Sequence, residues 1–303
     1  MQARHFKMKR GSESSGTVDI YAENFTSVNE LASFTRARDK VPTGEFKTHD
    51  YFREEWTSST KIGSWYGIKN KEHFDSLIAN GVDDTELVKN VAKYASQAEV
   101  KEHDRLVRRV YDVAGGCVDV PRWLTGNPNC MMRFDKKKVR SKIVNIGIET
   151  EVTCEISADD FKKAGMVLAK TVSKLEKAGY RIGIRAMTGF YARGSTIVLM
   201  STIIKKEYSP MNYARMMFPL TEVAFDRCVG WGWAARNPHY GGTVGTYVCN
   251  AFSGNTTAKM EEMYERASGL KDFIVFTHKD MICTLHRDGE DGLMKYIENR
   301  IKG

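Results

Sequence analysis

The sequence predicts an α/β fold, a mainly parallel sheet flanked by helices and preceded by a mostly helical, loop-rich N-terminal region. Three observations carry that reading. Residues 144–156 alternate with period two, as a half-buried strand does. Val144, Ile146, Ile148, Thr150, Val152, Cys154 and Ile156 fall on one side; Asn145, Gly147, Glu149, Glu151, Thr153 and Glu155 fall on the other. Ser157 and Asp160 then form a Ser-x-x-Asp helix start, and Phe161, Ala164, Leu168, Val172 and Leu175 recur at helical spacing. A second strand over residues 180–187 completes a β-α-β unit, whose crossover helix makes its strands parallel.

The remaining elements divide into three regions. Residues 1–60 form an N-terminal arm of weak periodicity, with one helix at 28–38 capped near Ser27 or Asn29 and a turn at Pro42-Thr43-Gly44. Tyr51, Phe52, Trp56, Trp65 and Tyr66 make this arm and its junction suited to docking on the core or on a neighbouring subunit. Residues 61–135 form a helical and loop-rich region. One helix spans 72–80 and stops at Gly81; a second spans 83–110, with Leu87, Val88, Val91, Tyr94 and Ala95 on one face. The Gly-, Pro- and Asn-bearing stretch 115–128 dictates turns and marks a boundary.

Residues 136–303 form the α/β domain. The β-branched run 195–204 suits a buried central strand. Pro210 opens a helix over 211–228 that Pro219 interrupts, and the Gly- and Trp-rich stretch 230–245 reads as a long loop. A helix at 256–268, a strand at 273–277 and an amphipathic helix at 291–302 close the chain.

Composition bounds the function. A chain of 303 residues with 42% hydrophobic and 28% charged content can bury a real core. No run approaches the roughly 18–20 apolar residues that span a bilayer, and no apolar segment follows the basic stretch from Arg4 to Arg10. The expectation is a cytosolic protein with no membrane partner. Six dispersed cysteines contain no Cys-x-x-Cys pair, which argues against a zinc ribbon or a thioredoxin-type site and for buried thiols. Seven dispersed histidines offer no paired ligands, and only His278, beside Lys279 and Asp280 at the end of a strand, stands where α/β chemistry resides. No Gly-rich stretch joins a strand to a helix as a phosphate cradle does, so no cofactor is expected.

Three candidate sites remain. The net charge of +8 is densest at Lys136, Lys137, Lys138, Arg140 and Lys142, a cluster that suits phosphate contacts or a plain charged lead-in to a strand. Glu149, Glu151 and Asp159 could hold Mg²⁺ at the carboxyl end of a parallel strand. The competing reading, which the sequence favours, leaves that face exposed and places Asp159 and Asp160 beside a helix dipole. Trp231 and Trp233 could stack bases or serve as buried or interface aromatics, and Trp56, Trp65 and Tyr66 are further interface candidates.

Two patterns together carry a resemblance. One is Trp65-Tyr66-Gly67 followed by a helix and then Val118-Asp119-Val120-Pro121-Arg122-Trp123-Leu124-Thr125-Gly126-Asn127-Pro128-Asn129-Cys130-Met131. The other is Gly165-Met166-Val167-Leu168-Ala169 with Leu175-Glu176-Lys177-Ala178-Gly179-Tyr180-Arg181-Ile182. They resemble a poorly characterised family of tailed bacteriophages and mobile elements with a von Willebrand factor A-like C-terminal part. The metal motif common in von Willebrand A domains, Asp-x-Ser-x-Ser, is absent from both Glu149–Thr153 and Glu155–Asp159. The resemblance therefore implies a non-enzymatic phage protein of the host cytoplasm or virion. Such a protein acts through contacts with itself or with a phage or host protein, and is expected to be a homo-oligomer. The runner-up is a protein that binds or processes nucleic acid through the basic cluster, with Mg²⁺ at the carboxylates.

Overall fold

The computed structural model describes residues 1–9, 16–37, 68–97, 107–136, 142–151, 156–192, 195–240 and 256–303. It is an α/β protein. Among the described residues, six strands form one sheet: β1 (Gln2–Lys9), β2 (Thr17–Phe25), β6 (Ile143–Glu149), β7 (Arg181–Ala192), β8 (Thr196–Lys205) and β9 (Phe273–Phe276). Their order is β1-β2-β8-β7-β6-β9. The pairs β2/β8, β7/β6 and β6/β9 are parallel, whereas β1/β2 and β7/β8 are antiparallel. Three of the five pairs are parallel, so the sheet is mostly parallel, as expected, with antiparallel pairs that make it mixed. β7 ends at Ala192 and β8 begins at Thr196, too close in sequence for the crossover of a dozen residues or more that a parallel pair needs.

The helix α5 (Ala158–Lys177) starts where the sequence places it. Ser157 Oγ accepts from the Asp160 N–H at 3.1 Å, and Asp159 and Asp160 occupy its first turn. Its apolar face, including Ala164, Val167, Leu168, Val172 and Leu175, meets Val144, Ile146 and Ile148 of β6 in the larger core. α6 (Tyr213–Thr221) and α9 (His278–Lys302) flank α5 on this side. α9 is two helical pieces joined at Gly289, whose φ of 71° is left-handed. On the opposite face Met260, Met263, Tyr264 and Ala267 of α8 (Thr256–Ser268) pack on Val18, Ile20, Ala22, Ile197, Leu199 and Val275.

Around the larger core lie α1 (Val28–Ala37), α2 (Lys71–Asn80), which ends at Gly81 with φ 87°, and α3 (Thr85–Gln97). A second, antiparallel sheet has the order β3-β5-β4, from β3 (Val107–Asp112), β4 (Cys117–Val118) and β5 (Met131–Lys136), with α4 (Val120–Leu124) between the last two.

Four expectations are corrected. Within the arm assigned to residues 1–60, β1 and β2 are strands of the main sheet. β1 is an edge strand whose burial alternates, with Arg4, Phe6 and Met8 the less exposed side chains; the charge of Arg4 on that side masks the alternation in the sequence. The helix expected over 83–110 ends as α3 at Gln97, and residues 107–112 are a strand. The stretch from 230 is helical before it is anything else: a π-helical turn over Phe225–Gly230 runs into α7 (Trp231–Arg236). The thiols are mixed, with Cys228 buried and Cys117 and Cys283 exposed.

Candidate functional site

The carboxyl end of β6 gathers the densest buried polar chemistry among the described residues. Glu149 closes the strand and is 6% exposed; Thr150 is fully buried and Glu151 is 7% exposed. The odd face read as solvent-facing is therefore internal here. Its cover comes from β7, the π-helical turn and the start of α9. Glu151 Oε1 accepts the Gly189 N–H at 2.8 Å. The Thr150 and Thr188 hydroxyls lie 2.6 Å apart, and Thr188 donates to Asp226 Oδ1 at 3.3 Å.

His278 completes the cluster. Its ring stacks on Phe161 at 4.0 Å, and its Nδ1 is hydrogen-bonded to the Glu149 carbonyl oxygen. A carbonyl only accepts, so Nδ1 carries the proton and Nε2 presents a lone pair. That Nε2, like Glu149 Oε1, is buried with no hydrogen-bond partner among the described residues. Burial lowers the His278 pKa to about 4, so the ring is neutral at physiological pH. Burial, then the charges of Asp280 and Asp226, raises Glu149 to about 8, so its carboxyl holds a proton near neutrality. The cluster is thus arranged to keep a proton and a neutral imidazole inside the fold. A chain of hydroxyls and carboxylates links β6, β7 and the π-helical turn.

Of the metal candidates, the structure brings Glu149 and Glu151 to this strand end but leaves Asp159 exposed on the first turn of α5. Among the described residues no group of three His, Cys, Asp or Glu side chains is placed to hold a metal ion. Sequence reasoning misses Asp226 and gives Asp280 only as a neighbour of His278, not with Glu149. They are remote in sequence from Glu149, and only the packing of the π-helical turn and α9 brings them to it.

The basic cluster is only partly described. Lys136 ends β5 in backbone register with Val107, and Lys137, Lys138 and Arg140 lie outside the described residues. Lys142 Nζ donates to the carbonyls of Ile301 at 3.5 Å and Lys302 at 3.1 Å, a cation on the final turn of α9. Trp56, Trp65 and Tyr66 also lie outside the described residues. Trp231 and Trp233 are buried, and Trp233 Nε1 donates to Glu23 at 2.6 Å. They are core aromatics and offer no face for stacking a base.

A different surface is exposed. No residue from 110 to 133 is buried, and Val113, Val118, Val120, Trp123 and Leu124 are all open to solvent, Trp123 at 62% and Leu124 at 72%. α4 is held by its own local bonds: the Arg122 N–H donates to Asp119 Oδ1 at 3.1 Å, and Pro121 sits in its first turn. The Arg122 guanidinium lies 3.7 Å over the Tyr111 ring, and Arg133 pairs with Asp112 at 3.4 Å. The segment of the three-stranded sheet and α4 thus exposes apolar side chains with charges of both signs nearby. The sequence marks this segment as turns whose Val118, Val120, Trp123 and Leu124 can pack, and the structure leaves all four exposed. Its apolar residues alternate with polar ones over too short a span to separate packing from display.

The chain belongs to a family described as a domain of unknown function, DUF7192, whose model matches residues 9–278. No curated protein and no solved structure matches it.

Proposed function

We propose that this DUF7192 protein is non-enzymatic and works through protein–protein contacts, joining copies of itself as a virion or assembly component of a bacteriophage. The observation that supports this most is the display of Val118 on β4 and of Val120, Trp123 and Leu124 on α4, none of them buried. An exposed tryptophan and its aliphatic neighbours are the kind of residues that anchor interfaces. The nearby charges of both signs support a second copy as the occupant. Arg122 and Arg133 stand with Asp112 and Asp119 in the same segment, and a two-fold interface requires such self-complementarity. On this reading the main sheet is a von Willebrand A-like interaction domain without the metal motif. The phage setting rests on the resemblance of residues 118–131 and 165–182.

Light scattering after size exclusion, with absorbance at two wavelengths and at low and high salt, tests the proposal. A discrete protein-only oligomer is expected. A monomer that captures a host protein would move the surface to a host-factor role. Co-eluting nucleic acid that salt removes would favour the runner-up reading through Lys136–Lys142.

A further inference from the structure

A cavity of about 310 Å³ opens between the start of α1, the end of α2, the end of β8 and the start of α6. Its wall is apolar where Leu77, Ile78, Met211, Met216 and Phe218 contribute, and it carries Lys206 and Arg215 with no carboxylate among the lining residues. The third lining cation, Lys205, is already neutralised by Glu176 at 2.6 Å. Lys206 and Arg215 are exposed, and Arg215 spends one N–H on the Ala79 carbonyl at 2.9 Å. Two helices begin at this cavity, α1 after Ser27 and α6 after Asn212. Ser27 Oγ takes the Glu30 N–H, and Asn212 Oδ1 takes the Arg215 N–H. Beside the start of α1 the Glu30 carboxylate already accepts the Thr26 N–H at 2.6 Å and its hydroxyl at 2.7 Å, so an anion entering the cavity would be met at the start of α6.

We propose that this cavity binds a small amphipathic monocarboxylate. Its apolar part would lie among the methionines and Phe218, and its carboxylate at Lys206, Arg215 and the first turn of α6. At about 30 Å³ per non-hydrogen atom, scaled from the volume a water occupies in the liquid, the space suits a ligand of about ten such atoms. The neutral lining of an ordinary apolar pocket would not discriminate an acid from an alcohol. This one does, because Lys206 and Arg215 line it and no carboxylate does.

Octanoate and 1-octanol are the probes, titrated into the full chain carrying ¹³C-methyl methionine. Met211→Leu and Met216→Leu spectra assign the two reporter methyls. Saturable shifts of both methyls with octanoate are expected. Lys206→Ala and Arg215→Ala should each weaken octanoate about tenfold and leave 1-octanol unaffected. Both residues are exposed, so the variants are expected to fold, and their far-UV spectra check this. Absence of methyl shifts overturns the proposal. So does equal binding of acid and alcohol, or octanoate affinity unchanged in the double variant.

Discussion

Gly165 on α5 lies directly against the backbone of Leu220 on α6: a Cβ at residue 165 would stand 2.0 Å from the Leu220 carbonyl oxygen. The two helices approach this closely only because the position carries no side chain. The obstacle is backbone, so relief requires moving a helix.

Gly165→Ala is therefore expected to lower stability by about 2–4 kcal/mol, despite alanine's better helix propensity. Gly116, with open space around its Cβ position, is the control, and Gly116→Ala should change stability by less than about 0.5 kcal/mol. Urea unfolding of both variants measures the difference.

Glu149 gives the fold a pH dependence of defined sign. Its folded pKa, about 8, lies above the ordinary value of 4.5, so between those values the folded chain holds a proton that the unfolded chain releases. The stability it contributes is complete below about pH 4.5 and is lost as pH rises through about 8, at up to about 1.4 kcal/mol per pH unit. His278 acts oppositely: its folded pKa of about 4 lies below 6.5, so stability falls as pH drops from 6.5 towards 4. Glu149→Gln should flatten the alkaline decline and leave the acid limb in place, as read from unfolding curves between pH 4 and 9.

Lys205 is nearly buried and sits 2.6 Å from Glu176, and its Nζ also donates to the Ile182 carbonyl at 3.0 Å. Removing one member of such a pair strands the other. Lys205→Ala is expected to cost about 3–5 kcal/mol in chemical denaturation. Lys205→Met combined with Glu176→Leu should cost less than either single change to alanine.

The edge strand β9 is covered by carboxylates. Glu265 Oε1 accepts the Phe273 N–H and Glu261 Oε1 the Val275 N–H, each at 3.2 Å, and Glu261 also pairs with Arg300. These two side chains occupy the row of donors that an edge strand would offer another chain. Replacing both with alanine should cost about 1–3 kcal/mol per bond and produce concentration-dependent aggregation, followed by turbidity on mild heating.

Strong local signals in the sequence survived folding. The Ser157 cap, the α5 stripe, the β8 run and the helix over Thr256–Ser268 stand where periodicity places them, because one buried face dictates each. What depended on distant partners was not legible. β2 pairs in parallel with β8, some 180 residues later, and the alternation of β1 is masked in the sequence because Arg4 shares the less exposed side with Phe6 and Met8. Burial of Glu149 and Glu151 was hidden because period-two alternation assigns them to an outer face, while Asp226 and His278 close over that face from far along the chain. Trp231 and Trp233 looked like loop aromatics because Gly230 and Gly232 suggested turns, yet both glycines lie within continuous helical turns.

The central claim is that the surface of Trp123 and Leu124 holds copies of the chain together. The most direct test is the solution mass of the double variant Trp123→Ser with Leu124→Ser, measured by light scattering beside the wild type across a concentration series. Both residues are exposed and neither is part of the main core, so the variant should keep the wild-type far-UV spectrum and unfolding midpoint. The account predicts an oligomeric wild type and a monomeric variant of unchanged fold. A variant that retains the wild-type oligomeric mass would contradict it.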